Sequence, residues 1–360
     1  MVWSTRFFYP SGTVTTEAAM NSVTLGIDLG KRWFHIVGCD GSGKVVLREK
    51  LGRSQLLQFM AQHPPCLVGI ETCCGSQYLA RKFQILGHEV RLLPAHYVKP
   101  FVKSQKNDFN DAQAIAEAVR LPTMRFVPVK TEEQMDVQAL HRARERMLQQ
   151  RLALTNQIRG LLLDRGIEIA QGFYALRATL PTLLENDDSG LTPMMRDLGR
   201  MLLDMWNSTE ATLEQMNNRI TRLSRESELC RRLQTIPGVG VRLSTAIVSA
   251  IGDASTFRRA RDLAAWVGLV PQQHTTGGKP RLLGITKRGN SYLRRLFVQG
   301  ARALWVWKDK HPNDPIQRWL LQLADRRHIH IAICALANKL VRIAWAVMRR
   351  GSEFQLRYRA

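Results

Sequence analysis

Two short apolar runs that each carry a carboxylate most constrain how this chain can fold. VTLGIDLG contains Asp28 and CLVGIET contains Glu71, and both runs have the composition of buried strands that break near a glycine or a turn. We therefore expect both acids where their strands leave a sheet. A third segment, DFNDAQAIAEAVRL, has helical periodicity, and Asp108 and Asp111 at its start share one helix face.

The four carboxylates predict a metal site. Like charges gathered in one fold are costly unless cations neutralise them, and Mg²⁺ prefers oxygen ligands. Two such ions can activate an attacking oxygen and stabilise a leaving oxygen at phosphorus. We predict that Asp28, Glu71, Asp108 and Asp111 form a two-metal phosphodiester site for Mg²⁺, with Mn²⁺ as the alternative ion. The competing interpretation is four unrelated surface acids, because strand-end acids are often caps or turn residues.

The charge of the chain indicates a polyanionic partner. It carries 52 Lys and Arg against 30 Asp and Glu, a net charge of +22, and its pI is about 10.5. Residues 231–360 hold 24 basic and 6 acidic residues, whereas residues 126–230 hold 13 and 15. This asymmetry favours phosphate-backbone binding by the last third of the chain over a uniformly basic surface.

Cysteine usage and hydropathy indicate the compartment. The six cysteines form no CxxC pair and no zinc-site spacing, which is typical of reduced thiols in a cytoplasmic protein. The sequence has neither a signal peptide nor a run of about 18 apolar residues that would span a membrane, so we expect no membrane partner. We expect residues 1–21 to be a disordered leader and residues 351–360 a tail.

Three folded regions are predicted, in the class α/β plus α. Residues 22–130 alternate strands and helices, which predicts an α/β layer on a mixed sheet that begins with a three-strand meander. Residues 131–228 carry apolar residues at 3–4 spacing in two long segments, which predicts an antiparallel coiled-coil arm whose seam includes Met195, Leu198, Leu202 and Met205. This arm is either an intramolecular spacer or an oligomerisation arm. Residues 229–350 are predicted to be mostly helical.

A glycine-bearing turn opens the last region. LQTIPGVGVRLSTAIVSAIGD predicts two short helices joined by PGVG, where Gly238 and Gly240 expose backbone N–H groups at the start of the second helix. Such a turn can cradle an anion. We interpret it as a helix-hairpin-helix in which Gly238, Gly240 and Arg242 grip a nucleic-acid backbone. A plain turn between helices is the alternative.

Basic side chains, glycines and hydroxyls alternate in the stretch GLVPQQHTTGGKPRLLGITKRGNSYLRRLF. Thr275 and Thr276 are the hydroxyls nearest the glycine pair, and a hydroxyl in such a loop can attack phosphorus; Ser291 and Tyr292 are the other candidates. Phosphate binding alone is the simpler interpretation, because His274, the nearest possible base in sequence, is more commonly a solvated loop histidine than a catalytic base. The predicted phosphate-binding cations are Lys279, Arg281, Lys287, Arg288, Arg294 and Arg295.

In their joint order, the motifs GIDLGK, GIET, DFNDAQAIAEA, PGVG, GLVPQQHTTGGK and ITKRGNSYLRRL resemble those of the DEDD-type insertion-sequence transposases, which are bridge-RNA-guided DNA recombinases. The resemblance covers residues 22–350. It implies a ribonuclease-H-like N-terminal domain similar to Holliday-junction resolvases, a coiled coil and a C-terminal transposase domain. It implies Asp28, Glu71, Asp108 and Asp111 as the Mg²⁺ ligands. It also implies a dimer or tetramer that holds donor and target DNA duplexes and a structured non-coding guide RNA.

The chain departs from this family at the nucleophile. Relatives carry a serine in an SSG or STG stretch that is similar to HTTGGK here, and that serine is thought to form a covalent link to DNA. In this chain Thr275 and Thr276 stand in the stretch, and a threonine hydroxyl has the same chemistry with more steric bulk. The resemblance thus implies strand exchange through a threonine and the carboxylate tetrad, in the bacterial cytoplasm and on the nucleoid when bound.

Three other classes share part of the pattern. A protein-only, Holliday-junction resolvase-like metal nuclease would use the same tetrad but would hydrolyse DNA with water. An ATPase of the actin and sugar-kinase class would explain GIDLGK, although no second phosphate or adenosine motif follows and the chain is far more basic than that class requires. A nucleic-acid-packaging protein would need no catalytic carboxylates.

Overall fold

The computed structural model describes residues 23–103, 107–307 and 314–355. The predicted leader, residues 1–21, lies outside these ranges, as does the end of the predicted tail from residue 356. The chain divides between Lys130 and Thr131 into two compact units, which we call the N-terminal and C-terminal units. The further boundary expected near residue 228 stays a prediction.

The N-terminal unit is built on a five-stranded mixed sheet with strand order β3-β2-β1-β4-β5. β1 to β3 form the predicted antiparallel meander, and β4 and β5 continue the sheet in parallel with β1. This mixed α/β layer confirms the prediction and is consistent with a ribonuclease-H-like domain. The elements are β1 (Thr24–Leu29), β2 (Trp33–Cys39), β3 (Val45–Gly52), α1 (Arg53–Gln62), β4 (Leu67–Glu71), α2 (Ser76–Ile85), β5 (Glu89–Leu93), α3 (Ala95–Val98), a 3-10 turn (Lys99–Phe101) and α4 (Asp108–Ala118).

Helices cover both faces of this sheet. On one face, Leu25 and Ile27 of β1 pack in a cluster with side chains of α1 and α2. Alternate residues of a strand point to opposite faces, so Gly26 and Asp28 face the other side, where α4 packs on β1. A side chain at Gly26 would not fit, because its Cβ would lie 2.1 Å from the Ala112 carbonyl oxygen. This close approach holds α4 on the face to which Asp28 points.

We expect Gly26→Ala to destabilise the N-terminal unit by about 3 kcal/mol. The added methyl would overlap the backbone of α4, and overpacking that displaces backbone carries this order of cost. Urea unfolding of the full chain measures the change. Gly52→Ala is the matched control, because a Cβ there would come no closer than 3.3 Å to the flexible Gln55 side chain. Equal stability of the two variants would contradict the packing described for α4.

The C-terminal unit is mostly helical and contains one exposed β-hairpin within the described residues. Two long helices, α5 and α7, begin at side-chain caps from Thr131 and Thr192. The elements are α5 (Glu132–Leu163), α6 (Phe173–Glu185), α7 (Pro193–Glu226), α8 (Glu228–Gln234), α9 (Val241–Ile251), α10 (Ala260–Val267), β6 (Pro271–Thr276), β7 (Lys279–Ile285), α11 (Ser291–Val306), α12 (Pro315–Ala324) and α13 (Ile329–Arg350).

α5 and α7 pack antiparallel. Arg144 Nε donates to Asn217 Oδ1 at 2.6 Å, and one heptad further along α5 the Arg151 guanidinium lies 3.3 Å from Glu210 Oε1. Residues later in α5 thus contact residues earlier in α7, which defines the antiparallel orientation. A pair of long antiparallel helices was expected, and its coiled-coil character stays a prediction.

The predicted seam of α7 is half right at its N-terminal end: Met195 and Leu202 are buried as expected, whereas Leu198 and Met205 are not. Leu198 and Met205 are 38% and 49% exposed, whereas their neighbours Gly199 and Trp206 are buried. α6 causes this rotation: a Cβ at Gly199 would lie 2.5 Å from a methyl of Leu184. Because a third helix packs here, α7 turns its buried face towards both neighbours.

The core of the C-terminal unit forms around α13. Leu336, Leu340 and Val341 have no exposed surface and belong to the unit's largest apolar cluster. By length and composition α13 is the one helix of the described chain that could cross a membrane, but half of its apolar window is buried inside the protein. That burial is typical of a core helix.

Candidate active site

The N-terminal unit gathers the four predicted carboxylates at one end of its sheet. β1 and β4 are parallel neighbours in which Ile27 lies beside Ile70. The next residues, Asp28 and Glu71, therefore occupy equivalent positions along the two strands. α4 begins at Asp108, where the Asn107 side chain accepts a hydrogen bond from the backbone N–H of Phe109. The first turn of α4 therefore brings Asp108 and Asp111 to the face to which Asp28 points.

The electrostatics of these acids reflect their proximity. Burial raises the pKa of Asp28 to about 6, and the negative charges of Asp111, Asp108 and Glu71 contribute in that order. Burial also raises the pKa of Glu71, with Asp111 adding to the rise and Lys99 opposing it. The neighbouring negative charges thus make ionisation of Asp28 and Glu71 harder, and a bound cation would relieve this repulsion.

Oxygen donors that repel one another fit a hard divalent cation in their chemistry. As the side chains stand, however, the described residues contain no group of three or more His, Cys, Asp or Glu that could hold a metal ion. The tetrad is therefore a converging set of carboxylates, and its role in binding Mg²⁺ or Mn²⁺ stays a proposal.

A fifth side chain, His35, was missed by the sequence analysis. It lies opposite Asp28 in the antiparallel β1–β2 register, is buried, and packs edge-on against the ring of Phe109 at 4.8 Å. Its Nδ1 lies 3.5 Å from Asp108 Oδ2. Pairing GIDL with WFHIV across the short turn between them would have placed His35 beside Asp28. His35 thus contacts the first turn of α4 through the ring of Phe109, whereas its buried Nδ1 forms no hydrogen bond with any described residue.

We expect Asp28→Asn to stabilise the metal-free protein near neutral pH but not in acid. The pKa of Asp28 in the fold, about 6, lies above its ordinary value of 3.8. Its stabilising contribution is therefore complete below about pH 3.8 and is lost as the pH rises through about 6. Because Asp28 is only half-buried, solvent screening limits the gain to about 1 kcal/mol.

Urea unfolding in a chelator at about pH 4 and about pH 7.5 measures this difference. Added Mg²⁺ should close the gap at the higher pH by stabilising the wild type alone, since ligand binding favours the folded state. An equal gap between Asp28→Asn and wild type at both pH values would contradict the electrostatic account.

The two predicted nucleophiles lie on an exposed hairpin rather than in the expected loop. Gly277 and Gly278 both have positive φ and form the two-residue turn between β6 and β7, as two-residue hairpin turns require. The hydroxyl of Thr275 accepts a hydrogen bond from Gln273 Nε2 at 2.9 Å, and Thr276 pairs with Lys279 across the strands. In the described parts of the chain, no His or carboxylate contacts either hydroxyl.

The predicted phosphate-binding cations divide into two groups. Those that are exposed on or next to the hairpin are Lys279, Arg281, Lys287 and Arg288. Arg294, in contrast, donates to the carbonyl oxygens of Val267 at 2.9 Å and Arg288 at 3.1 Å, and Arg295 pairs with Glu145 at 2.8 Å. Arg294 is therefore occupied within the C-terminal unit, whereas Arg295 remains about half exposed in its ion pair.

The PGVG turn joins α8 to α9 as expected. Gly238 has φ +81° and its Cβ would lie 2.9 Å from the Gly300 carbonyl oxygen, so only glycine fits there. Gly240, the N-cap of α9, has open space around it. A polar cavity of about 560 Å³ borders this turn, and Arg242 lines it. The DNA-binding character of the turn stays a prediction.

A carboxylate-bearing mixed sheet joined to a helical, strongly basic unit is the combination expected of a DEDD transposase. A family profile described as "Transposase", for the DEDD domain of IS110 elements, matches residues 25–165, and one described as "Transposase IS116/IS110/IS902 family" matches residues 230–316. The chain belongs to this family of insertion-sequence transposases. Family membership implies DNA substrates and DNA cleavage and recombination.

Relatives match over nearly their whole length. The chain is 42% identical over 337 residues to a probable family 20 transposase of Pseudomonas aeruginosa, which covers 93% of this chain and 99% of the relative. It is 40% identical to the transposase for insertion sequence element IS1328 of Yersinia enterocolitica, with 93% and 99% covered. It is 41% identical to the transposase for insertion sequence element IS1111A of Coxiella burnetii, with 92% and 91% covered.

Proposed function

We propose that this transposase cleaves and exchanges DNA strands by transesterification, under the direction of a structured non-coding RNA. The observation that carries the catalytic part is the convergence of four carboxylates, in which burial and the charges of the other three acids raise the pKa of Asp28 to about 6. The RNA part is supported by the family resemblance and by the excess of basic residues in the region 231–360.

The carboxylates of Asp28, Glu71, Asp108 and Asp111 would hold Mg²⁺ or Mn²⁺. A bound divalent cation would supply charge neutralisation and Lewis acidity at the phosphate. The four side chains contribute oxygen ligands of matching hardness from a rigid sheet and one helix turn. His35 packs against that turn through the ring of Phe109.

The nucleophile in this proposal is the hydroxyl of Thr275 or Thr276. As the threonine oxygen bonds to phosphorus, the bond from phosphorus to a deoxyribose oxygen breaks, and the hydroxyl proton passes to that leaving oxygen overall. One phosphodiester replaces another, so the energy of the bond is conserved and no high-energy cofactor is needed. The exposed hairpin makes both hydroxyls accessible to a DNA backbone.

Backbone contacts in the C-terminal unit would hold the nucleic acids. The exposed cations of the hairpin region, Lys279, Arg281, Lys287 and Arg288, can neutralise phosphates, and the helix-hairpin-helix around PGVG can present N–H groups to a strand. Such contacts position a duplex without reading its sequence. Target choice would then rest on base pairing by the guide RNA, as in other RNA-guided proteins.

The arm formed by α5 and α7 supports a homo-oligomer, a dimer or tetramer that holds donor and target duplexes. α7 exposes an apolar stripe at 4-3-4 spacing, made of Met194, Leu198, Met201 and Met205. Helix faces with this spacing pair as coiled coils. A second copy of the chain is the partner that the proposal assigns to this stripe, in the bacterial cytoplasm and on the nucleoid.

The RNA part is tested by recovery of bound RNA. The protein is purified from cells that carry its gene with the flanking sequence, washed at high salt, and the retained RNA is sequenced. A single structured transcript from the flanking non-coding segment is expected. Absence of any enriched RNA, with DNA binding intact, would overturn RNA guidance and favour a protein-only transposase.

A resolvase-like nuclease is the second candidate, because among the described residues no His or carboxylate forms a hydrogen bond with either threonine hydroxyl. That enzyme would use the same tetrad but activate water. Its products would carry free 5′ phosphates instead of a link to protein, so the chemistry of the DNA ends distinguishes the two.

A further inference from the structure

A buried arginine without an acidic partner lies beside the PGVG turn. Arg144 of α5 is only 6% exposed, and its Nε donates to Asn217 Oδ1 of α7 at 2.6 Å. A buried charge is costly unless it is paired. No carboxylate in the described chain forms an ion pair with Arg144, and Glu145, the acid next to it, is engaged by Arg295 at 2.8 Å.

Arg144 lines the polar cavity of about 560 Å³ that borders this turn. Its walls come from four helices and the PGVG turn, and they contain two arginines, several polar side chains and no Asp or Glu. This volume lies within the range of small-ligand sites. The polar side chains that line it are those of Arg144, Asn217, Thr221, Arg242 and Gln299.

Both arginines line the cavity, and their positive charges repel each other. Burial lowers the pKa of Arg144, and the positive charge of Arg242 lowers it further. The N-terminus of α9, with Gly240 as its open N-cap, adds backbone N–H groups and the positive end of a helix dipole. Three sources of positive potential thus meet in one cavity.

A neutral histidine lies on the same helix as Arg144 and links that helix to its neighbours. His141, one turn earlier on α5, is buried, and its ring nitrogens lie 2.9 Å from Tyr292 Oη and 3.0 Å from Thr245 Oγ1. Thr245 donates its own proton to the Val241 carbonyl oxygen, so His141 Nε2 donates to Thr245 and Nδ1 accepts from Tyr292. Burial and the nearby arginines lower the pKa of His141 to about 4. α5 is thereby tied to α9 and α11 without an additional charge.

We propose that this cavity binds one backbone phosphate of a nucleic-acid strand, with Arg144 and Arg242 as its cations and the α9 N-terminus as its N–H donor. The inference rests on the proposed function for the identity of the polyanion. The same phosphodiester chemistry occurs in the DNA duplex and in the guide RNA. Arg144, from the middle of the chain, is thus added to the phosphate-binding cations that were predicted in the C-terminal sequence.

Asn217→Asp is the direct test. The new carboxylate would form an ion pair with Arg144 at the position of the present 2.6 Å hydrogen bond. It would thereby neutralise the charge of the arginine. The variant should be at least as stable as the wild type, whereas a phosphate in the cavity would be repelled by the new negative charge. Asn218→Asp, an exposed neighbour with the same change of charge, is the matched control.

Binding is measured by fluorescence anisotropy over a series of salt concentrations, with a DNA duplex and a single-stranded RNA of arbitrary sequence as probes. We expect Asn217→Asp to weaken binding about tenfold and to lower the salt slope by about one, as for the loss of one phosphate contact. Asn218→Asp should change the affinity about twofold or less. A loss of affinity for the duplex alone assigns the site to DNA. A loss of affinity for the RNA alone assigns it to the guide RNA.

Gln299→Glu provides a second variant, because Gln299 is an exposed cavity residue of α11 whose replacement does not disturb the core. Gln299→Glu should show the same loss of nucleic-acid affinity and the same decrease in the salt slope as Asn217→Asp. If Asn217→Asp and Gln299→Glu both bind like Asn218→Asp with both probes, the phosphate site is wrong. This assay needs no cleavage, so an absent recombination activity would contradict the proposed function and leave the phosphate site standing.

Discussion

Asp111→Asn is expected to lower DNA strand cleavage about a thousandfold, which corresponds to roughly 4 kcal/mol of lost transition-state stabilisation. The charge of Asp111 reaches both Asp28 and Glu71, since it raises the pKa of each. Its removal would leave the site with one oxygen ligand fewer for a cation. Cleavage of a supercoiled donor plasmid in Mg²⁺ measures the loss.

Folding and DNA binding should survive this substitution. Asparagine has the same shape as aspartate, and its neutral side chain relieves repulsion within the tetrad. Asp204→Asn is the matched control, because Asp204 is an exposed acid in the middle of α7, and that variant should cleave at the wild-type rate. Cleavage by Asp111→Asn at the rate of this control would make the tetrad assignment wrong.

The double variant Thr275→Val, Thr276→Val should form no covalent protein–DNA adduct and exchange no strands. Valine keeps the branched shape that suits β6 and removes only the hydroxyls. Because the cations Lys279 and Arg281 on β7 stay in place, duplex binding should change about twofold or less. Adducts that resist detergent are counted on denaturing gels, with binding measured in parallel.

Single substitutions separate the two hydroxyls. The threonine whose replacement by valine alone abolishes the adduct is the nucleophile, and its replacement by serine should retain activity, since serine offers the same hydroxyl with less bulk. An adduct that persists in the double valine variant would place the nucleophile elsewhere, with Ser291 and Tyr292 as the remaining hydroxyl candidates from the sequence.

The N-terminal unit was predictable because its signals are local. Apolar runs define β1 and β4, and the helical period of α4 places Asp108 and Asp111 together, so the convergence of the carboxylates needed only the sheet order. His35 was missed because its place beside Asp28 depends on hairpin register rather than on sequence spacing.

The C-terminal unit was less predictable, since its partners are distant in sequence. β6 and β7 are exposed along nearly their whole length, so no alternation of apolar and polar residues marked them as strands. Arg144 is separated from Asn217 by 73 residues, and only packing of α5 on α7 brings them together. The error at Leu198 has the same origin, because α6 determines which face of α7 is buried.

Mass spectrometry of trypsin-treated reaction products tests the central claim most directly. Wild-type protein is incubated with donor DNA and Mg²⁺, the DNA is isolated after trypsin digestion, and any attached peptide is identified. We expect a nucleotide linked to the peptide of residues 262–281, DLAAWVGLVPQQHTTGGKPR, at Thr275 or Thr276. Cut DNA with free 5′ phosphates and no attached peptide would contradict it and identify a hydrolytic nuclease.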